Sequence, residues 1–137
     1  MKISGLRSPY ERVGGIVFFG RMLDKIRVHA RGELPADYNR GTGFDERCCI
    51  FLHIDYQALI KSVLAGGTDE EILAWCYSTG RRPTDQEIEI WNQFMMKRGW
   101  RDESNEGLEK VKAAHGFSAR SDLQNWFDFH DADEGSK

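Results

Sequence analysis

The strongest constraint on what this chain can fold into is a succession of apolar side chains at helical spacing, introduced by residues that cap helices. Thr68 stands three positions before Glu71, and Thr84 three before Glu87. In that pattern the hydroxyl and the carboxylate each satisfy an otherwise unpaired backbone amide at a helix start. Ile72, Trp75, Cys76 and Thr79 follow the first pair and Gly80 stops them; Ile88, Trp91, Phe94 and Met95 follow the second and Gly99 stops them. Upstream, Asp55 caps a segment whose Tyr56, Leu59, Ile60 and Val63 share a face, ending at Gly66-Gly67. Ser8-Pro9-Tyr10-Glu11 carries the same kind of start and predicts a helix from Ser8 to about Arg31, with Gly32 as its stop. Its stripe of Ile16, Phe19, Leu23, Ile26 and Ala30 is flanked by Val13, Val17, Phe18 and Val28. A helix apolar on more than one side is surrounded by others, so this one is placed at the centre. Gly14, Gly15 and Gly20 would each cost roughly 1 kcal/mol there relative to alanine, which points to a second backbone packed closely against them.

The rest of the chain is less regular. Residues 32–43, with Pro35, Gly41 and Gly43, form the longest stretch without helical period, and loops of this length in compact domains are often functional or mobile. A short helix is predicted from Asp45 to about Leu52; Cys48 to Leu52 could also be a buried strand, but no second strand is visible for it to pair with. Asn105 to His115 reads as a surface helix resting on Leu108, Val111 and Ala114. Ser121 with Gln124 is predicted to open the last helix, which docks through Leu123, Trp126, Phe127 and His130. The ends, residues 1–7 and 131–137, are expected to be flexible. The expectation is therefore an all-α fold: one domain over residues 1–137, an irregular bundle of six or seven helices around a central N-terminal helix.

Length and composition agree with this and exclude several function classes. A chain of 137 residues with 40% hydrophobic and 30% charged residues can bury a core without staples. Its net charge of −3 offers no basic face for nucleic acid as a whole. Cys48 and Cys49 are adjacent and Cys76 stands alone, neither a disulfide framework nor a zinc pattern, so reduced thiols and a cytoplasmic location are expected. The apolar run from Val13 to Gly20 is bounded by charge on both sides, too short for a membrane span and without a cleavage pattern for a signal peptide.

Five segments taken in order carry a resemblance: Leu6-Arg7-Ser8-Pro9; Gly20-Arg21-Met22-Leu23-Asp24-Lys25-Ile26-Arg27; Gly43-Phe44-Asp45 with Arg47-Cys48-Cys49; Ile72-Leu73-Ala74-Trp75-Cys76; and Lys97-Arg98-Gly99-Trp100-Arg101-Asp102. Through them the chain resembles a family of small bacterial helical proteins described only as a domain of unknown function. The resemblance runs over nearly the whole length. It implies a stand-alone bacterial domain and carries no substrate, cofactor or catalytic residue with it.

Candidate chemistry then rests on the residues alone. The loop Asn39-Arg40-Gly41-Thr42-Gly43 leads into the helix opened by Asp45, with Arg47 in its first turn; glycines and a helix N-terminus can present amides to an anion. It is neither a P-loop nor a dinucleotide fingerprint, and a plain glycine turn with solvated arginines is the commoner arrangement. Arg81-Arg82 could clamp a phosphate or carboxylate, or simply cap the preceding helix. Asp24 and Lys25, with Arg21, form a charged edge on the central helix, either a solvated ladder of ion pairs or a buried pair serving as a site. Cys48, His53 and Asp55 contain the groups of a thiol catalyst, although a cysteine among Ile50, Phe51 and Leu52 is ordinarily inert core. Asp128, His130, Asp131 and Asp133 include metal-ligand types but read as an acidic tail. Trp75, Trp91 and Trp126 read as core; Trp100, in a turn, lines a pocket or an interface or seals a helix junction.

The function expected is a binding module for a small anionic ligand or a protein partner on the side bearing Arg40, Arg47, Arg81 and Arg82. No metal, cofactor, nucleic acid or membrane is expected, and no catalytic motif is recognised. The alternatives are a small enzyme with a site around Cys48 or Asp24-Lys25, and a homodimer formed through aromatic residues around Trp100 and Trp126.

Overall fold

A computed structural model describes residues 2–137. The N-terminal part departs from the expected helix. Gly14 and Gly15 both take positive φ, 57° and 82°, the pair of left-handed residues that a two-residue hairpin turn requires. They join β1 (Arg12–Val13) to β2 (Ile16–Val17), antiparallel with Val13 opposite Ile16 and Arg12 opposite Val17. The central helix therefore begins not at Ser8 but at Phe19, as α1 (Phe19–Ala30), after Phe18 in a left-handed conformation. Ser8 caps no helix; its Oγ accepts from the Tyr10 amide at 3.2 Å.

Among the described residues six further helices follow: α2 (Phe44–Leu52), α3 (Tyr56–Leu64), α4 (Asp69–Thr79), α5 (Asp85–Lys97), α6 (Asn105–Ala114) and α7 (Trp126–Asp133). The fold is mostly helical, as expected, an irregular bundle with one small hairpin added. The capping boxes form as read: Thr68 accepts from the Glu71 amide at 3.1 Å and Glu71 from the Thr68 amide at 2.9 Å, and Thr84 and Glu87 do the same. Asp55 accepts from the Ala58 amide at 3.0 Å. The last helix starts later than Ser121, because Asn125, whose Oδ1 accepts from the Asp128 amide at 2.8 Å, is the side chain that caps it.

From Phe19 to Ile26 every residue of α1 is buried, so its central position holds for the part that is helical. Phe19, Met22, Leu23 and Ile26 form the core with Ile16, Leu52, Leu59, Met95 and Phe127 from the surrounding elements; each such side chain contributes roughly 1.5–3 kcal/mol by leaving water. Gly20 does mark a close approach, but of a side chain: a Cβ there would meet Arg7 Cζ at 2.8 Å and Val13 Cγ2 at 3.1 Å. The C-terminal segment expected to fray is tied down instead. Asp131 accepts from Ser8 Oγ at 3.0 Å, and Glu134, immediately after α7, is buried. Among the described residues no helix is long and apolar enough to cross a membrane.

Candidate functional site

The buried turns of α1 carry three charged residues, Arg21, Asp24 and Lys25, and charge in a core requires partners. Arg21 donates from Nη1 and Nη2 to the two carboxylate oxygens of Glu134, at 2.7 and 2.5 Å, and from Nη1 to the Arg7 carbonyl at 3.1 Å. The Tyr38 hydroxyl donates to the same carboxylate at 2.9 Å, and burial together with Glu134 pushes its phenol well above the ordinary range. Lys25 lies 2.8 Å from Asp45 Oδ1 and donates to the Asn39 carbonyl at 2.9 Å. Burial holds the Lys25 ammonium below its ordinary pKa, against the pull of Asp45. Asp45 Oδ2 in turn accepts from the Gly41 amide at 3.0 Å. These two buried lock points fasten the irregular loop, residues 31–43, across one side of α1.

Beneath that loop is a cleft of about 440 Å³. Arg21 and Lys25 reach it from α1, Phe44 and Arg47 from α2, Arg98 from the end of α5, and Trp126, Phe129 and His130 from α7. The Trp126 amide donates to the Arg98 carbonyl at 3.0 Å, which brings the end of α5 to the start of α7 and makes that corner. Its two interior cations are neutralised by Glu134 and Asp45. The outer two are not held in that way. Among the described residues no carboxylate pairs with Arg47, and Arg98 has only Asp102 at 3.4 Å and Glu103 at 3.6 Å. Both guanidinium groups rest over the ring of Phe94, at 5.5 and 5.8 Å from its centroid. Burial, followed by Arg21 and Lys25, holds the His130 imidazole well below its ordinary pKa, so the ring is neutral at neutral pH.

Of the ligand-binding candidates read from the sequence, the cleft takes Lys25 and Arg47. Arg40 lies outside it, beside the Tyr56 phenol. Arg81 is a staple: Nε donates to the Phe51 carbonyl and Nη1 to Glu87, both at 2.8 Å. Arg82 lies over Tyr77, and neither residue lines the cleft. Asp24 belongs to a separate cluster, in which Arg7 bonds Asp24 at 2.8 Å and Asp69 at 2.6 Å while Arg27 bonds Asp69 at 2.9 Å. Trp100 is exposed, under the Arg101 guanidinium, whereas Trp126 is drawn inward and donates to Ser104 Oγ at 2.6 Å. The Cys48 thiol is fully buried, which pushes its pKa well up; His53 ends α2 in a left-handed conformation, and Asp55 is occupied as a cap. Asp128 and Asp131 are engaged by Tyr10 and Ser8, and the described residues contain no metal-binding cluster. Arg98 and Tyr38 are not legible as site residues in the sequence, and His130 enters there only as a metal-ligand type in an acidic tail. Nothing local marks the first two, and His130 otherwise lies on the docking stripe of the last helix.

The sequence pattern that matches residues 3–136 is that of a domain of unknown function, DUF5069. The chain belongs to this family. Membership covers every cleft residue named above and brings no activity with it, so the chemistry of the cleft rests on its own geometry. A comparison with curated proteins found no match.

Proposed function

We propose that this DUF5069 protein is a binding module for a small anionic ligand, held in the cleft between α1, α2 and α7. The observation that carries this reading is the pair Arg47 and Arg98: two guanidinium groups at the edge of a half-open cleft, oriented on one aromatic ring, Arg47 with no carboxylate partner among the described residues and Arg98 with Asp102 and Glu103 only at 3.4 and 3.6 Å. A guanidinium fork suits a carboxylate or phosphate, and the volume is that of a small-molecule site. The interior cations Arg21 and Lys25 shape the floor, while the outer pair supplies charge to the ligand. The reading includes a reducing, cytoplasmic setting in bacteria, supported by three free, buried cysteines and by the family resemblance.

The test is a thermal-shift series with inorganic phosphate, small carboxylates and nucleotides. At least one should raise the melting temperature, and the rise should shrink with salt and disappear in Arg47→Ala/Arg98→Ala. No rise with any of them removes this function.

A further inference from the structure

Asp37, Thr42, His115 and Asp133 line part of the cleft, but the polar groups of its aromatic wall and of the α1 cations behind it are committed. Trp126 Nε1 is committed to Ser104, the Tyr38 hydroxyl to Glu134, Arg21 to Glu134, and Lys25 to Asp45 and Asn39. The His130 imidazole, which lines the same space, makes no hydrogen bond among the described residues. A ligand end that rests on that wall therefore finds apolar surface with at most one polar partner, His130, and meets its counter-charge at Arg47 and Arg98.

The walls distinguish between kinds of apolar group. Trp126 and Phe129 stand nearly perpendicular, at 87° with centroids 6.0 Å apart, while Trp126 and His130 are tilted by 31° at 6.2 Å. Phe18 and Phe44, on the opposite elements, are also edge to face, at 82° and 5.6 Å. Faces and edges meeting at right angles let a flat ring stack on one wall and meet the edge of the next, a preference that saturated carbon does not share.

From this arrangement we infer that the ligand is a flat aromatic or heteroaromatic ring bearing one carboxylate or phosphate, its ring among Trp126, Phe129 and Phe44 and its acid on Arg47 and Arg98. The inference rests on the anion-binding reading and narrows it. Calorimetric titrations with phenyl phosphate, cyclohexyl phosphate, inorganic phosphate and phenol separate the two, since the first pair match in carbon count and charge but differ in aromaticity. Phenyl phosphate should bind roughly two- to twelve-fold tighter than cyclohexyl phosphate. It should also move the His130 ring-proton resonances by ring current, and lose at least about ten-fold in affinity in Arg47→Ala/Arg98→Ala, consistent with loss of a charged hydrogen-bond partner. The single Arg47→Ala variant provides the same readout should the double variant fold poorly. Equal binding of phenyl, cyclohexyl and inorganic phosphate, still dependent on the arginines, would overturn the ring and leave the anion site standing. Phenol binding as tightly as phenyl phosphate, indifferent to the arginines, would overturn both, as would no binding by any of the four or by benzoate together with no thermal shift in the series above.

Discussion

An imidazole beside two buried cations has a direct consequence for how this protein responds to acid. His130 is half-buried in the cleft wall, and burial, then Arg21 and Lys25, hold its pKa well below 6.5 in the folded chain. In the unfolded chain the ring titrates near 6.5. As pH falls through that value the unfolded state gains a proton that the folded state does not take, so stability falls, by at most about 1.4 kcal/mol per pH unit for one proton. The carboxylates act at lower pH. Asp69, lowered by Arg7 and Arg27 against the effect of its burial, loses its contribution only as pH drops through the carboxylate range, and Asp131, raised first by burial, works in the opposite direction there. Urea denaturation of the protein and of His130→Gln between pH 7 and 5.5 isolates the imidazole. The variant should show the shallower decline, and identical slopes would mean that His130 is protonated as readily folded as unfolded.

Elements whose starting signal lies within four residues were legible, and those decided across the chain were not. Asp55, Thr68 and Thr84 bond amides three positions on, so sequence spacing alone locates α3, α4 and α5. Ser8 and Glu11 show the same spacing, yet two consecutive glycines downstream turn the chain back between Val13 and Ile16; over so short an apolar run, strand and helix periods cannot be told apart. The cleft was less legible still. Lys25 and Arg47 stand out as cations on helices, but what makes a site of them is the return of Tyr38, Arg98 and His130 from three other parts of the chain. Gly80 shows both kinds of information at one position. As a helix stop it is readable; the reason for glycine is not, because an added Cβ would collide with the carbonyl oxygens of Leu52 and His53 at the end of α2. The Arg81 amide donates to that same Leu52 oxygen at 3.0 Å, so neither backbone can withdraw. Gly80→Ala is therefore expected to destabilise by about 1–3 kcal/mol or more, as overpacking does. A denaturation midpoint equal to that of the parent would show that the junction of α2 and α4 gives way freely.

At the scale of the whole molecule, the two ends of the described chain close on each other. Ser8 and Tyr10 donate to Asp131 and Asp128 at 3.0 and 2.7 Å, and Arg21, buried in the first turn of α1, depends for its charge on Glu134. The residue that closes α7, Glu134, is thus the counter-charge of the core, and the helix it ends forms a cleft wall. A chain ending at His130 would keep every apolar core residue from Val13 to Phe127 while removing Glu134 and Asp131. If hydrophobic burial alone held the fold, such a chain would be nearly as stable as the parent. Because a guanidinium left unpaired in the interior costs about 3–5 kcal/mol, against a total stability on the order of 5–15 kcal/mol for a domain, the shortened chain should lose a large share of its stability. Glu134→Gln in the full chain should account for most of that loss. Urea midpoints for the three proteins decide the matter: a shortened chain that unfolds with the parent would show that Arg21 finds water or another partner, and that the ion pair is not what closes the bundle.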